Sequence, residues 1–223
     1  MIPEGVNEIG DRAFEGCASL IDLHIPDRVS EIGKEAFSGC TGLTSMVIPD
    51  GVKEIGWGTF ERCTSLVEVL IPGSVTNIGS RAFAVCTSLT SVVIPEGVQE
   101  IGQGAFMDCS LLTSMEIPNT VREIGEEAFS NTPFFINLPG DLKISGRFLF
   151  VYTGQESTIR IPQGVSIICN GAFTGNEKLT SVVLPKGIAA INSSAFKGCK
   201  NLIELGIFYQ HESILIPEIP VFS

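Results

Sequence analysis

The residues of this chain with chemistry to offer are its seven cysteines and several columns of carboxylates. Cys17, Cys40, Cys63, Cys86 and Cys109 recur every 23 residues, and Cys199 falls in the same slot of a later repeat. If equivalent residues stack, neighbouring members lie about one strand spacing apart, within reach of disulfides or a soft metal. Two features weigh against that chemistry. The C-x-x-C spacing that suits zinc is absent, and Thr132 and Asn176 take the same slot without disturbing the period. Cysteine is also a small side chain that buries readily. Buried free thiols are therefore expected, with no metal and no cofactor.

The carboxylates form two columns. Glu8, Glu31, Glu54, Glu100 and Glu123 stand five residues after a recurring proline, and Glu4, Asp27, Asp50 and Glu96 stand one residue after it. Stacked carboxylates repel one another, and a divalent cation relieves that repulsion. A solvated acidic edge, partly screened by Lys53 and Arg122, is the simpler expectation, with calcium as the alternative. Catalytic groups are scarce. The only histidines are His24 and His211, far apart in sequence, and no G-x-S-x-G, H-E-x-x-H or phosphate-binding glycine motif occurs. An enzyme is not expected.

These columns need an element that repeats as they do. Pro3, Pro26, Pro49, Pro72, Pro95 and Pro118 are spaced by 23 residues, and a phenylalanine follows each by eleven, from Phe14 to Phe129. So strict a period means one small unit copied and stacked, rather than a globule around a single pocket. In the repeat PDGVKEIGWGTFERCTSLVEVLI, Pro49-Asp50-Gly51 reads as a turn. Val52 and Ile55 point inward, Gly56 permits a corner, and 58–63 reads as one helical or 3₁₀ turn, too short to stand without packing. Val69 and Ile71 then alternate with Glu68 and Leu70 on a strand. Ala13, Ala36, Ala82, Ala105 and Ala128, each before a phenylalanine, suit a place with no room for more.

About nine such coils are expected in a single array over 1–207, with 208–223 as a closing cap. The period falters once. Pro118 and Pro139 are 21 residues apart, and the coil at about 133–161 alternates Phe148, Phe150 and Tyr152 between the turn signals Ser145-Gly146 and Thr153-Gly154. A hairpin-like coil is expected there. Regular coils resume at Pro162 and Pro185.

Composition narrows the function. The 14 basic and 25 acidic residues leave a net charge of −11, which repels phosphate backbones and argues against nucleic acid as the partner. No apolar run approaches the roughly 18 residues of a membrane-spanning helix. No signal segment opens the sequence, so the chain is read as either cytoplasmic or cut from a longer precursor, with the second expected.

The unit I-P-x-x-V-x-x-I-G-x-x-A-F-x-x-C-x-x-L-x-x-V-x-I, clear in IPDGVKEIGWGTFERCTSLVEVLI and IPGSVTNIGSRAFAVCTSLTSVVI, resembles the BspA-like leucine-rich repeat family over roughly residues 2–207. The resemblance implies a leucine-rich repeat solenoid, α/β horseshoe-like and strand-dominated, of right-handed parallel stacked coils with a parallel sheet on the concave side. It also implies secreted or cell-surface proteins that adhere to host proteins or to other cells. A non-enzymatic adhesion module, engaging a protein or glycan on a host or neighbouring cell, is the expected function. A monomer is expected, and a structural element that stacks end to end is the alternative.

The expected contact face is the outward side of the strands: Ser45 and Val47, Glu68 and Leu70, Ser91 and Val93, Ser114 and Glu116, with Asp22 and His24 before them and Ser181 and Val183 after. Beside them run Ile21, Thr44, Val67, Thr90, Thr113 and Thr180. The result is a Ser/Thr floor with an aliphatic strip, Val47-Leu70-Val93, of the kind that marks partner sites. Trp57, the only tryptophan, stands in a corner slot held elsewhere by polar residues and is a candidate accessory contact.

Overall fold

A computed structural model describes residues 2–209 and 212–215. The chain divides into two compact units, 1–137 and 138–223, with the boundary inside the interval where the period falters. Among the described residues no helix is long and apolar enough to cross a membrane.

The first unit alternates two kinds of strand, in the order β1 (Glu8–Ile9), β2 (Glu31–Ile32), β3 (Ser45–Val47), β4 (Glu54–Ile55), β5 (Glu68–Leu70), β6 (Asn77–Ile78), β7 (Ser91–Val93), β8 (Glu100–Ile101), β9 (Ser114–Glu116) and β10 (Glu123–Ile124), followed by the short helix α1 (Pro133–Ile136). Equivalent strands pair in parallel with a register of one repeat: Glu54 opposite Asn77 opposite Glu100, and Ser45 opposite Glu68. This is the stacked solenoid expected from the period. The three-residue strands pair as β3 with β5 and β7 with β9, while β4, β6, β8 and β10 form one four-stranded sheet.

The corner expected as a helical or 3₁₀ turn is neither. It is a third hydrogen-bonded ladder. Within one corner, Ala13, Glu15 and Cys17 donate their N–H groups back three residues, to Gly10, Arg12 and Phe14. The intervening N–H groups of Arg12, Phe14 and Gly16 donate instead to Lys34, Ala36 and Ser38 of the next repeat, at 2.7–2.9 Å. Turning alternate N–H groups outward requires left-handed backbone at two sites per corner. Arg12, Glu35, Gly58, Arg81, Gly104 and Glu127 hold one site, at φ between +54° and +60°. Gly16, Gly39, Arg62, Val85, Asp108 and Asn131 hold the other, at φ between +60° and +71°. A regular helical turn would leave the cross-repeat bonds unmade, and the corner buries too much backbone for that.

The core lies between these ladders. Val29, Val52, Val75, Val98 and Val121 are at most 1% exposed, as are Phe37, Phe60, Phe83 and Phe106. The phenylalanine rings from Phe14 to Phe129 stack at 5.2–5.8 Å between centroids, inclined by no more than 11°. Each pair adds about 0.5–1.5 kcal/mol to what area burial supplies. The corner glycine serves close approach rather than a special dihedral. A Cβ at Gly102 would stand 2.4 Å from the Ser80 nitrogen, and one at Gly125 2.4 Å from that of Gln103. Thr59, where other repeats have alanine, is fully buried and satisfies its hydroxyl on the Gly56 carbonyl.

The second unit contains β11 (Leu142–Ser145), β12 (Phe148–Tyr152), β13 (Thr158–Arg160), β14 (Ile167–Ile168), β15 (Ser181–Leu184), β16 (Ala190–Ile191), β17 (Glu204–Tyr209) and β18 (Glu212–Leu215). The expected hairpin is the antiparallel pair β11–β12, turned through Gly146 at φ +54°. Phe148, Phe150 and Tyr152 are all buried. β12 then passes in parallel to β14 and β16, so the hairpin starts a sheet of the repeat type. β17 and β18 pair antiparallel, with Gly206 opposite Leu215. The cap expected over 208–223 otherwise lies outside the described residues.

Candidate functional site

All seven cysteines are free thiols: Cys40, Cys63, Cys86, Cys109 and Cys169 are buried, Cys199 is half-buried and Cys17 is exposed. Their slot has a definite bonding role. The sulfur of Cys40, Cys63, Cys86, Cys109 and Cys199 donates to the carbonyl of the phenylalanine 26 residues earlier, at 3.0–3.2 Å. Those carbonyls, from Phe14 to Phe83 and at Phe173, so accept across a repeat boundary. Burial pushes the Cys40 thiol up to about 11 and those of Cys63 and Cys109 up to about 12, from a usual 9.0. A neutral donor thiol is the reverse of what nucleophilic catalysis or metal ligation needs. Thr132 and Asn176 fill the slot as polar equivalents. The Thr132 hydroxyl bonds Phe129 and caps α1 through the Phe135 N–H, and the Asn176 amide reaches the Gly154 carbonyl at 3.3 Å.

Charged groups on the corner pair across repeats. Arg12 meets Glu35 at 2.6 Å, and Arg81 meets Glu61 at 2.7 Å. Each pair raises its guanidinium above the ordinary value, mainly through the hydrogen bond to its glutamate. Trp57 lies on this corner, 40% exposed, and not among the strand residues.

The strand face brings the other candidates together. Ser45 and Val47 stand in register with Glu68 and Leu70, and Ser91 and Val93 with Ser114 and Glu116. All eight are exposed, because Met46, Val69, Val92 and Met115 take the inward positions between them. Val47 is 61% exposed, Leu70 60% and Val93 81%. Three neighbouring expectations need correction. Residues 21–25 form no strand, so the exposed His24 belongs to no ladder. Ser181 is buried, and its hydroxyl bonds the carboxylate of Glu204 on the neighbouring strand β17 at 2.9 Å. Val183 is half-buried.

At one end of this face an open groove of about 730 Å³ is lined by Ser91, Val93, Glu96, Ser114, Glu116 and Phe134 among others. Phe134 was not a sequence candidate. It reaches the groove because α1 places its N–H on the Leu112 carbonyl and its ring edge-on to Phe129 at 5.5 Å. The Thr132-Pro133 pair, an N-cap followed by proline in the first turn, is the signal in the sequence that marks α1.

Parallel strands stacked one repeat apart around a recurring apolar core define a leucine-rich repeat solenoid. The profile of the BspA type leucine-rich repeat region (6 copies) matches residues 1–113 and 99–215, and the chain belongs to that family. No curated protein matches it. Among solved structures, a leucine-rich repeat protein from Bacteroides ovatus is 26% identical with a TM-score of 0.48, over 91% of this chain and 59% of that one. A T. pallidum leucine-rich repeat protein is 29% identical with a TM-score of 0.49, over 78% and 72%. One from Eubacterium ventriosum is 28% identical with a TM-score of 0.56, over 60% of this chain and 36% of that one. The chain thus spans little more than half the length of the first and about a third of the last.

Proposed function

We propose that this chain is a non-enzymatic binding module of a secreted or cell-surface protein, engaging a protein or glycan partner through the exposed face of β3, β5, β7 and β9. The observation that carries this reading is the Val47-Leu70-Val93 strip. Three branched aliphatic side chains stand more than half exposed on strands whose backbones are held in stacked repeats. Exposed apolar groups on a rigid scaffold are suited to docking, since little ordering entropy is lost on contact. Family membership supports the same reading, because repeat arrays of this kind serve as interaction scaffolds. The buried, neutral thiols leave the chain's most reactive residue type mostly out of use.

The test is binding of the protein to a panel of extracellular-matrix proteins, immobilised glycans and intact cells. Leu70→Glu combined with Val93→Glu should abolish binding to whichever panel member is recognised. Thermal unfolding of the double variant should stay within about 0.5 kcal/mol of the parent, as for ordinary surface substitutions. Undiminished binding in that variant would remove this face as the contact surface.

A further inference from the structure

Charge is distributed unevenly along this chain. Residues 1–137 hold seven Lys and Arg against nineteen Asp and Glu, a net of −12, while residues 138–223 hold seven against six, a net of +1. The long-strand face of the first unit reflects the same bias. Segments 44–48, 67–71, 90–94 and 113–117 contain no Lys or Arg, and their charged residues are Glu68 and Glu116, both exposed. Glu96 adds a third exposed carboxylate at the groove. Among the described residues, ion pairs form at Glu15, Glu35, Glu61 and Glu177 and at none of these three. The aliphatic strip therefore lies among carboxylates that have no cation of their own.

We infer that this face docks a polypeptide segment in which Lys or Arg alternates with aliphatic residues, the aliphatic side chains resting on Val47, Leu70 and Val93 and the cations on Glu68, Glu96 and Glu116. The inference rests on the binding-module reading and names the chemistry of its partner. Two physical points favour a cationic occupant. A field of one sign steers oppositely charged partners and repels like-charged ones. The groove beside Val93 and Phe134 offers apolar walls to the methylene stem of Lys or Arg and carboxylates to its head. The strip itself needs aliphatic groups, since polar ones would leave it wet.

The experiment uses fluorescence anisotropy with three labelled octapeptides of alternating sequence: Lys with Val, Lys with Ser, and Glu with Val. The Lys/Val peptide should bind, and its affinity should fall with added salt. Leu70→Ser with Val93→Ser should weaken it about tenfold or more, and Glu68→Gln with Glu116→Gln about five- to tenfold, both without loss of melting temperature. The other two peptides should bind at least tenfold more weakly. Failure of the Lys/Val peptide to bind, equal binding of the Lys/Ser peptide, or indifference to either double variant would overturn the inference. If a panel protein or glycan is lost in the Leu70→Glu, Val93→Glu variant while the Lys/Val peptide neither binds nor competes, the binding-module reading stands and the cationic partner is excluded.

Discussion

Val85 holds φ at +63° in the corner, a left-handed conformation that a branched Cβ resists. Its slot belongs to Gly16 and Gly39 in earlier repeats and to Asn131 in a later one, residues that adopt this backbone readily. Val85→Asn should therefore raise stability by about 1 kcal/mol, read as the shift in denaturant midpoint. A lower midpoint would mean that the half-buried valine contributes packing worth more than its strain. The thiols allow a second test. Cys63 and Cys109 are held protonated up to about 12 by burial, against 9.0 when exposed. Between those values the folded chain binds more protons than the unfolded one, so stability falls as pH rises. The loss should begin near pH 9, and Cys63→Ala should make the fall of melting temperature above that pH shallower. At pH 8 under native conditions, alkylation followed by intact mass should modify Cys17 quickly and leave the five buried thiols unreacted. Rapid modification of all seven would contradict the packing. That cysteine suits this slot as a small buried residue was legible in the sequence. Its sulfur's bond to a carbonyl in the preceding repeat was not, because the two atoms belong to residues 26 apart.

At the scale of elements, the repeat is three short ladders joined by turns, and glycine sets how closely neighbours approach. Gly102→Ala should destabilise the first unit by about 2–3 kcal/mol, because its Cβ would meet backbone rather than a movable side chain. Urea unfolding measures this, and a loss below about 0.5 kcal/mol would mean that the ladder relaxes. The strands were legible from the alternation of Glu68, Val69 and Leu70, and the hairpin from Phe148, Phe150 and Tyr152 between glycine turns. The corner departs from the helical or 3₁₀ turn expected of it because local spacing cannot reveal bonds to the next repeat. Every second N–H group there is satisfied 22 residues away, as from Phe60 to Ala82.

For the molecule as a whole, the two units carry very different charge, and the strongly acidic one bears the aliphatic strip. The effects of Leu70→Glu with Val93→Glu, and of the two milder double variants, belong to this scale. They alter a face assembled from four repeats rather than any single one. Ionic strength acts on the same scale. Exposed carboxylates such as Glu68, Glu96 and Glu116 are screened over about 8 Å at physiological salt, so a cationic partner must lose affinity there while the aliphatic contacts persist.

The sequence alone determined the stacking, the inward set and the outward positions of β3, β5, β7 and β9. A 23-residue period constrains each slot several times over, and strand alternation follows from a two-residue pleat. Tertiary structure decided the rest: the corner ladder with its left-handed residues, the thiol-to-carbonyl bonds, the burial of Ser181 and the place of Phe134 beside the groove. Each of these depends on what the neighbouring repeat, strand or helix presents across a gap of a few ångströms. A slot's own residues do not record that.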